Sequence, residues 1–81
     1  MGAVSELLTI TEAEYLGNYT IRIRFSNGDL RTVDFLPLLK GEWLGQLKAP
    51  DKFVQFALDG FTIEWTNGAG FAPEYLYEIG K

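Results

Sequence analysis

The chain contains neither cysteine nor histidine. Without cysteine there is no disulfide, no thiolate nucleophile and no zinc–sulfur site. Without histidine the chain lacks the side chain that most often moves protons near neutral pH, and the commonest metal ligand. Ser-His-Asp and Cys-His nucleophilic pairs are therefore excluded within it. Carboxylates, lysine, arginine and tyrosine remain, and the expectation is of no catalytic residues, no metal site and no cofactor. Basic charge is scarce as well: seven Lys and Arg stand against eleven Asp and Glu, for a net charge of −4. A short acidic chain repels phosphate backbones on average, which argues against direct nucleic-acid binding. No apolar run approaches the roughly 18 residues that span a bilayer, so no membrane partner is expected. The first residues show no basic stretch followed by an apolar one, so no secretion signal is expected and the reading is cytoplasmic. Met1-Gly2-Ala3-Val4-Ser5-Glu6 begins like a myristoylation sequence, but Glu6 stands where Ser or Thr is required.

Large apolar groups, by contrast, are plentiful. A chain of 81 residues makes a single domain, 1–81, near the lower end of what folds without covalent staples. At that size only about 60% of the unfolded surface is buried, so the core must be dense. Six Phe, four Tyr and two Trp, within 47% hydrophobic residues, supply that density and argue against disorder.

Tyr19-Thr20-Ile21-Arg22-Ile23-Arg24-Phe25 alternates apolar and polar with period two, which predicts a strand buried on one face. Ser26-Asn27-Gly28 turns it into a second segment over Asp29–Phe35. A two-residue turn would set Ile23 opposite Thr32. A three-residue loop with Gly28 in the left-handed region sets Ile21 opposite Val33 and Tyr19 opposite Phe35, and this register keeps apolar groups together. Val54, Phe56 and Leu58 alternate into Asp59-Gly60, and Phe61, Ile63 and Trp65 alternate out. A two-residue Asp-Gly turn here pairs Leu58 with Phe61, Phe56 with Ile63 and Val54 with Trp65.

A further strand runs from Ile10 to Tyr15 and ends at Gly17-Asn18; its apolar parity changes between Ile10 and Ala13, which predicts a bulge. Between the hairpins Leu36, Leu39, Trp43 and Leu47 recur at helical spacing, but Gly41 and Gly45 interrupt them, so one or two short helical turns are expected. Pro73 opens a short C-terminal helix through about Tyr77. Three strands, a short helical crossover, a β-hairpin and a short C-terminal helix make an α+β fold. Its antiparallel sheet of about five strands has the helical segments on one face.

The order of these blocks resembles a known family, the domain of unknown function 2442. The central hairpin, Phe25-x-Asn27-Gly28-x-x-Arg31-x-Val33-Asp34-Phe35, resembles the family's central signature. Leu47, Phe53, Leu58-Asp59 and Thr62-Ile63-x-Trp65 resemble its middle. Trp65-x-Asn67-Gly68-Ala69 followed by Pro73-Glu74-x-Leu76-Tyr77 resembles its closing block. That block departs at Thr66, Gly70 and Ala72, where similar sequences carry proline and acidic residues. Ala72, in particular, has no side chain to cap the helix that Pro73 begins. The resemblance implies a small bacterial α+β domain with no established activity. Some such domains are joined to a helix-turn-helix, and some are encoded beside another small protein in the manner of toxin–antitoxin pairs.

Five residues are the candidates for partner binding. Arg22, Arg24 and Arg31 form the one concentration of positive charge, which a functional reading makes a patch for an anion or an acidic partner. The plainer reading is a solvated sheet face with a diagonal Arg22–Asp34 pair. Trp43 and Tyr75 are of the type that anchors interfaces, and the hairpin parity does not place them in the core. Glu64 and Glu74 flank the closing junction, but an outward strand position and a helix's first turn account for them. Asn67-Gly68-Ala69-Gly70 lacks the Lys and Ser/Thr of a phosphate loop and reads as a turn needing positive φ. The expected function is a non-catalytic interaction or regulatory module, antitoxin-like, whose partner is another small protein or a second copy of itself. The alternative is a small-ligand-binding or hydrolytic domain using the loop over 65–77.

Overall fold

The alternation from Tyr19 to Phe25 sets the first sheet. In a computed structural model describing residues 8–81, strand β2 (Thr20–Phe25) buries Ile21, Ile23 and Phe25 and turns Arg22 and Arg24 outward. The myristoylation-like stretch lies outside the described residues. Strand β3 (Leu30–Asp34) runs antiparallel to β2 with Ile21 opposite Val33. The Phe35 N–H donates to the Tyr19 carbonyl at 2.8 Å, as the three-residue loop requires, and Gly28 holds that loop with φ +92°. Strand β1 (Ile10–Gly17) flanks β2 on the other side. Ile10 faces Phe25 but Glu12 faces Arg24, so one extra residue is accommodated between them. That bulge lets Ile10 and Ala13 point to the same face despite their opposite parity.

The β1–β2 turn passes through Asn18 and Tyr19 at φ 54° and 62°, the mirror-image turn that matches the right-handed twist of its strands. Positive φ is unusual for a bulky side chain. Tyr19 is held there by its ring, edge-on to Phe53 at 5.2 Å, and by its hydroxyl, which donates to the Lys48 carbonyl.

The crossover forms more turns than its glycines led us to expect. A 3₁₀ turn at Leu36–Leu38, helix α1 (Gly41–Leu44), a 3₁₀ turn at Gly45–Lys48 and helix α2 (Pro50–Phe53) follow one another. None is longer than four residues, because the chain changes direction between them to bury Leu39, Leu47 and Phe53 in turn.

The second hairpin corrects the expected register. Strands β4 (Phe56–Leu58) and β5 (Ile63–Trp65) place Phe56 opposite Trp65 and Leu58 opposite Ile63, two residues away from the pairing a two-residue turn would make. The cause is the Asp59 side chain. Its Oδ1 accepts from the backbone N–H of Phe61 at 2.9 Å and of Thr62 at 2.8 Å. The Asp59 N–H also donates to the Thr62 carbonyl at 3.1 Å, and with β4 ending at Leu58 and β5 beginning at Ile63 four residues lie between the strands, not two. Val54 is consumed by the end of α2, where its N–H donates to Pro50. A shift of two preserves parity, so Ile63 and Trp65 remain buried while Val54, Leu58 and Phe61 are exposed.

The five strands therefore divide into two antiparallel sheets, β1-β2-β3 and β4-β5, in an α+β fold. Residues of both sheets and of the crossover share one buried cluster: the Phe35 ring lies 5.8 Å from Phe53 and 5.6 Å from Trp65. The inner face of the first sheet meets the helical segments and β5, and its other face carries the outward arginines. Helix α3 (Pro73–Ile79) begins at Pro73 with no side-chain cap from Ala72, and it buries Leu76. After it, Lys81 exchanges both backbone hydrogen bonds with Thr32, each 3.0 Å, and so pairs with the outer edge of β3.

Two outcomes follow from these contacts. A Cβ on Gly80 would lie 2.6 Å from the Arg31 Cβ and 3.0 Å from the Leu76 carbonyl oxygen. Gly80→Ala should therefore cost about 1–3 kcal/mol, read as a lower urea midpoint at unchanged slope; an unmoved midpoint would mean that the tail does not dock on β3. The Asp59 carboxyl is held below its ordinary value of 3.8, first by the Thr62 N–H and then by that of Phe61. Its stabilising effect is complete above the unfolded value and disappears as pH falls through the folded one. NMR titration should place it below a free aspartate, and the stability advantage of the wild type over Asp59→Asn should shrink on acidification below about pH 4.

Candidate interaction surfaces

Arg22 and Arg24 occupy outward positions on β2, and β1 sets Glu14 and Glu12 directly opposite them. Arg22 Nη2 lies 2.5 Å from Glu14 Oε1, and Arg24 Nε lies 3.4 Å from Glu12 Oε1. The expected Arg22–Asp34 diagonal gives way to these pairs, because directly opposed side chains are closer than diagonal ones. Asp34 accepts instead from the Leu36 N–H at 3.1 Å and starts the turn that follows β3. The four charges line a shallow hollow of about 570 Å³, bounded by Leu30 of β3 and Leu58 of β4.

Arg31 stands apart from the other two. It faces Ile23 across the sheet, so it emerges on the opposite side from Arg22 and Arg24. Its guanidinium sits 4.2 Å from the centroid of the Tyr77 ring, which meets Phe25 edge-on at 5.1 Å. The Tyr77 hydroxyl donates to Asp29, whose backbone N–H is tied to Asn27 Oδ1 at 3.0 Å. Arg31 thus clamps α3 to the β2–β3 loop, and the three arginines do not form one patch.

Both candidate aromatics are exposed, Trp43 at 57% and Tyr75 at 41%. The Trp43 carbonyl accepts from Asn67 Nδ2 at 3.2 Å, and its ring lies beside Gly68, so it is anchored to the closing junction. Tyr75 stacks on Phe71 at 6.3 Å with 17° between the rings. Its outer side walls a groove of about 450 Å³ whose lining, with Val33, Pro37, Leu38 and Ile79, is almost entirely apolar. The outer edge of β3 runs along this groove. Thr32 gives its outward N–H and C=O to Lys81, and Asp34, two residues on, directs its own to the same side. The groove was not legible in the sequence, because it joins positions some forty residues apart that share no periodicity.

The loop over 65–77 is a packed junction. The Trp65 indole N–H donates to the Phe53 carbonyl at 2.6 Å; Asn67 Oδ1 accepts from the Ala69 N–H at 3.0 Å; Gly68 has φ +89°. Gly70 bridges back to Glu64, where a Cβ would lie 3.2 Å from the Ile63 carbonyl oxygen. Glu64 lines an open hollow of about 330 Å³ with Gln55, Trp65 and Thr66, which Glu74 does not share. The Tyr77 hydroxyl is committed to Asp29.

A family model described as "Protein of unknown function (DUF2442)" matches residues 10–81. The chain belongs to the DUF2442 family. The DUF2442 match begins at the first residue of β1 and ends at the Lys81 pairing with Thr32, so the family unit includes both sheets and α3. No curated protein and no solved structure matches the chain. Among the described residues no helix is long and apolar enough to cross a membrane.

The two kinds of arginine should behave differently. Arg24→Ala breaks an exposed pair and should cost at most about 0.5 kcal/mol, whereas Arg31→Ala removes the clamp on Tyr77 and should cost about 1–2 kcal/mol. Urea unfolding of the two variants side by side measures the difference; equal losses would remove the clamp assignment.

Proposed function

We propose that this DUF2442 chain is a non-catalytic interaction module, a regulatory partner of another small protein in the cytoplasm. The observation that carries this reading is the apolar groove, walled by Tyr75, beside the part of the β3 edge that no described residue pairs with. Stacking on Phe71 holds the Tyr75 ring in place before anything binds, which lowers the cost of ordering an anchor. An extended segment of the partner would hydrogen-bond to the Asp34 backbone and set an apolar side chain into the groove. The antitoxin-like form of this role follows the family resemblance. No cofactor enters the reading, and Glu64 and Glu74, the carboxylates flanking the 65–77 loop, do not share one hollow.

The test is a tagged pull-down from native extract at moderate salt after nuclease treatment, run with the wild type and with Tyr75→Ser. One small protein retained in stoichiometric amount by the wild type and lost with the variant is the expected result. Equal retention by both, or an empty lane for both, would overturn the reading. Far-UV circular dichroism confirms that the variant, altered at an exposed position, is folded.

A further inference from the structure

The outer face of the first sheet has a pattern that is complementary to itself. Along one row, Leu58 of β4, Glu12 of β1, Arg24 of β2 and Leu30 of β3 line the same hollow, so the order across the face is apolar, acidic, basic, apolar. The adjacent row repeats the centre with Glu14 and Arg22. Leu30 is 50% exposed and Leu58 39%, on a face that no other described element covers. The two ion pairs cancel, so the net charge of −4 resides elsewhere on the chain. Two copies therefore meet here without the like-charge repulsion they would encounter over the remaining surface.

We infer that this face is a homodimer interface, with a second copy of the same chain as its occupant. A two-fold axis parallel to the strands and midway between β1 and β2 lays each acidic column over the partner's basic column. Glu12 then faces Arg24 of the other copy, Glu14 faces Arg22, and Leu30 covers Leu58. Each guanidinium gains a second carboxylate, and the four pairs become one network shielded from water, which is the arrangement in which surface ion pairs contribute measurably. Edge-to-edge pairing of two β1 strands is the worse solution, because it would set the Glu12 and Glu14 columns beside their own copies. A patch of roughly 20 by 20 Å lies at the small end of specific interfaces, so the dimer is weak and exchanging. This surface is separate from the groove at Tyr75, so the two proposals stand or fall independently.

The experiment is a dilution series of the isotope-labelled protein from about 1 mM downwards, followed by amide shifts and sedimentation in about 20 mM and about 500 mM salt. At low salt the expected result is a monomer–dimer equilibrium whose shifts concentrate at Glu12, Glu14, Arg22, Arg24, Leu30 and Leu58. Raising the salt should weaken association at least about tenfold, since exposed charges are then screened within a few ångströms. The double variants Arg22→Glu with Arg24→Glu and Glu12→Arg with Glu14→Arg should each be monomeric, and an equimolar mixture of them should form a 1:1 pair. Leu30→Ser alters a half-exposed position without disturbing the ion pairs and should also weaken the dimer severalfold. A monomer throughout the low-salt series would overturn the inference. So would an association that is indifferent to salt and to all three variants, or shifts confined to the Tyr75 groove.

Discussion

The structure depends on the meeting of Phe35, Phe53 and Trp65. Phe35 follows the last strand of the first sheet, Phe53 closes the helical crossover and Trp65 ends the second hairpin, so one aromatic junction fastens three separate segments. Trp65 buries its ring and still satisfies its indole N–H on the Phe53 carbonyl, which makes the contact directional as well as apolar. In a chain this short, which buries a smaller fraction of its surface than larger domains do, such a junction carries a large part of the core. The strained φ of Tyr19 and the broken path of the crossover persist because both deliver side chains to it.

Polar chemistry shapes the chain around that junction at short range. Asp59 and Asn67 each turn their side chains onto backbone N–H groups a few residues ahead, and so set the length of the loops at either end of β5. Arg22 and Arg24 are neutralised by carboxylates of the adjacent strand, and Arg31 by an aromatic face and Asp29. No polar or charged side chain is buried among the described residues. Charge thus remains on the surface, arranged in local pairs.

The exposed groove and sheet face arise from the same arrangement. Lys81 closes one part of the β3 edge, and no other described residue pairs with the part beside Pro37, Leu38 and Tyr75. Among the described residues no element covers the outer face of the first sheet, and its two ion pairs balance within it.

Period-two alternation was enough to determine which residues of β2 point inward, and the position of Gly28 was enough to determine the β2–β3 register, because the pair lies within one short hairpin; in β3 the outward Leu30 and the inward-side Arg31 break the alternation. The bulge in β1 was legible for the same reason, as a parity change within four residues. The turn at Asn67-Gly68 and the start of α3 at Pro73 were likewise written in local residue chemistry. Parity alone could not tell a two-residue turn from a four-residue loop at Asp59, since both keep the same side chains inside; the hydrogen bonds of one carboxylate decided it. The division into two sheets and the groove at Tyr75 each join segments distant in sequence. The sequence by itself determined which faces are apolar and where the chain turns. Tertiary packing alone decided which faces meet, because that choice depends on side chains brought together only after the strands and helices have formed.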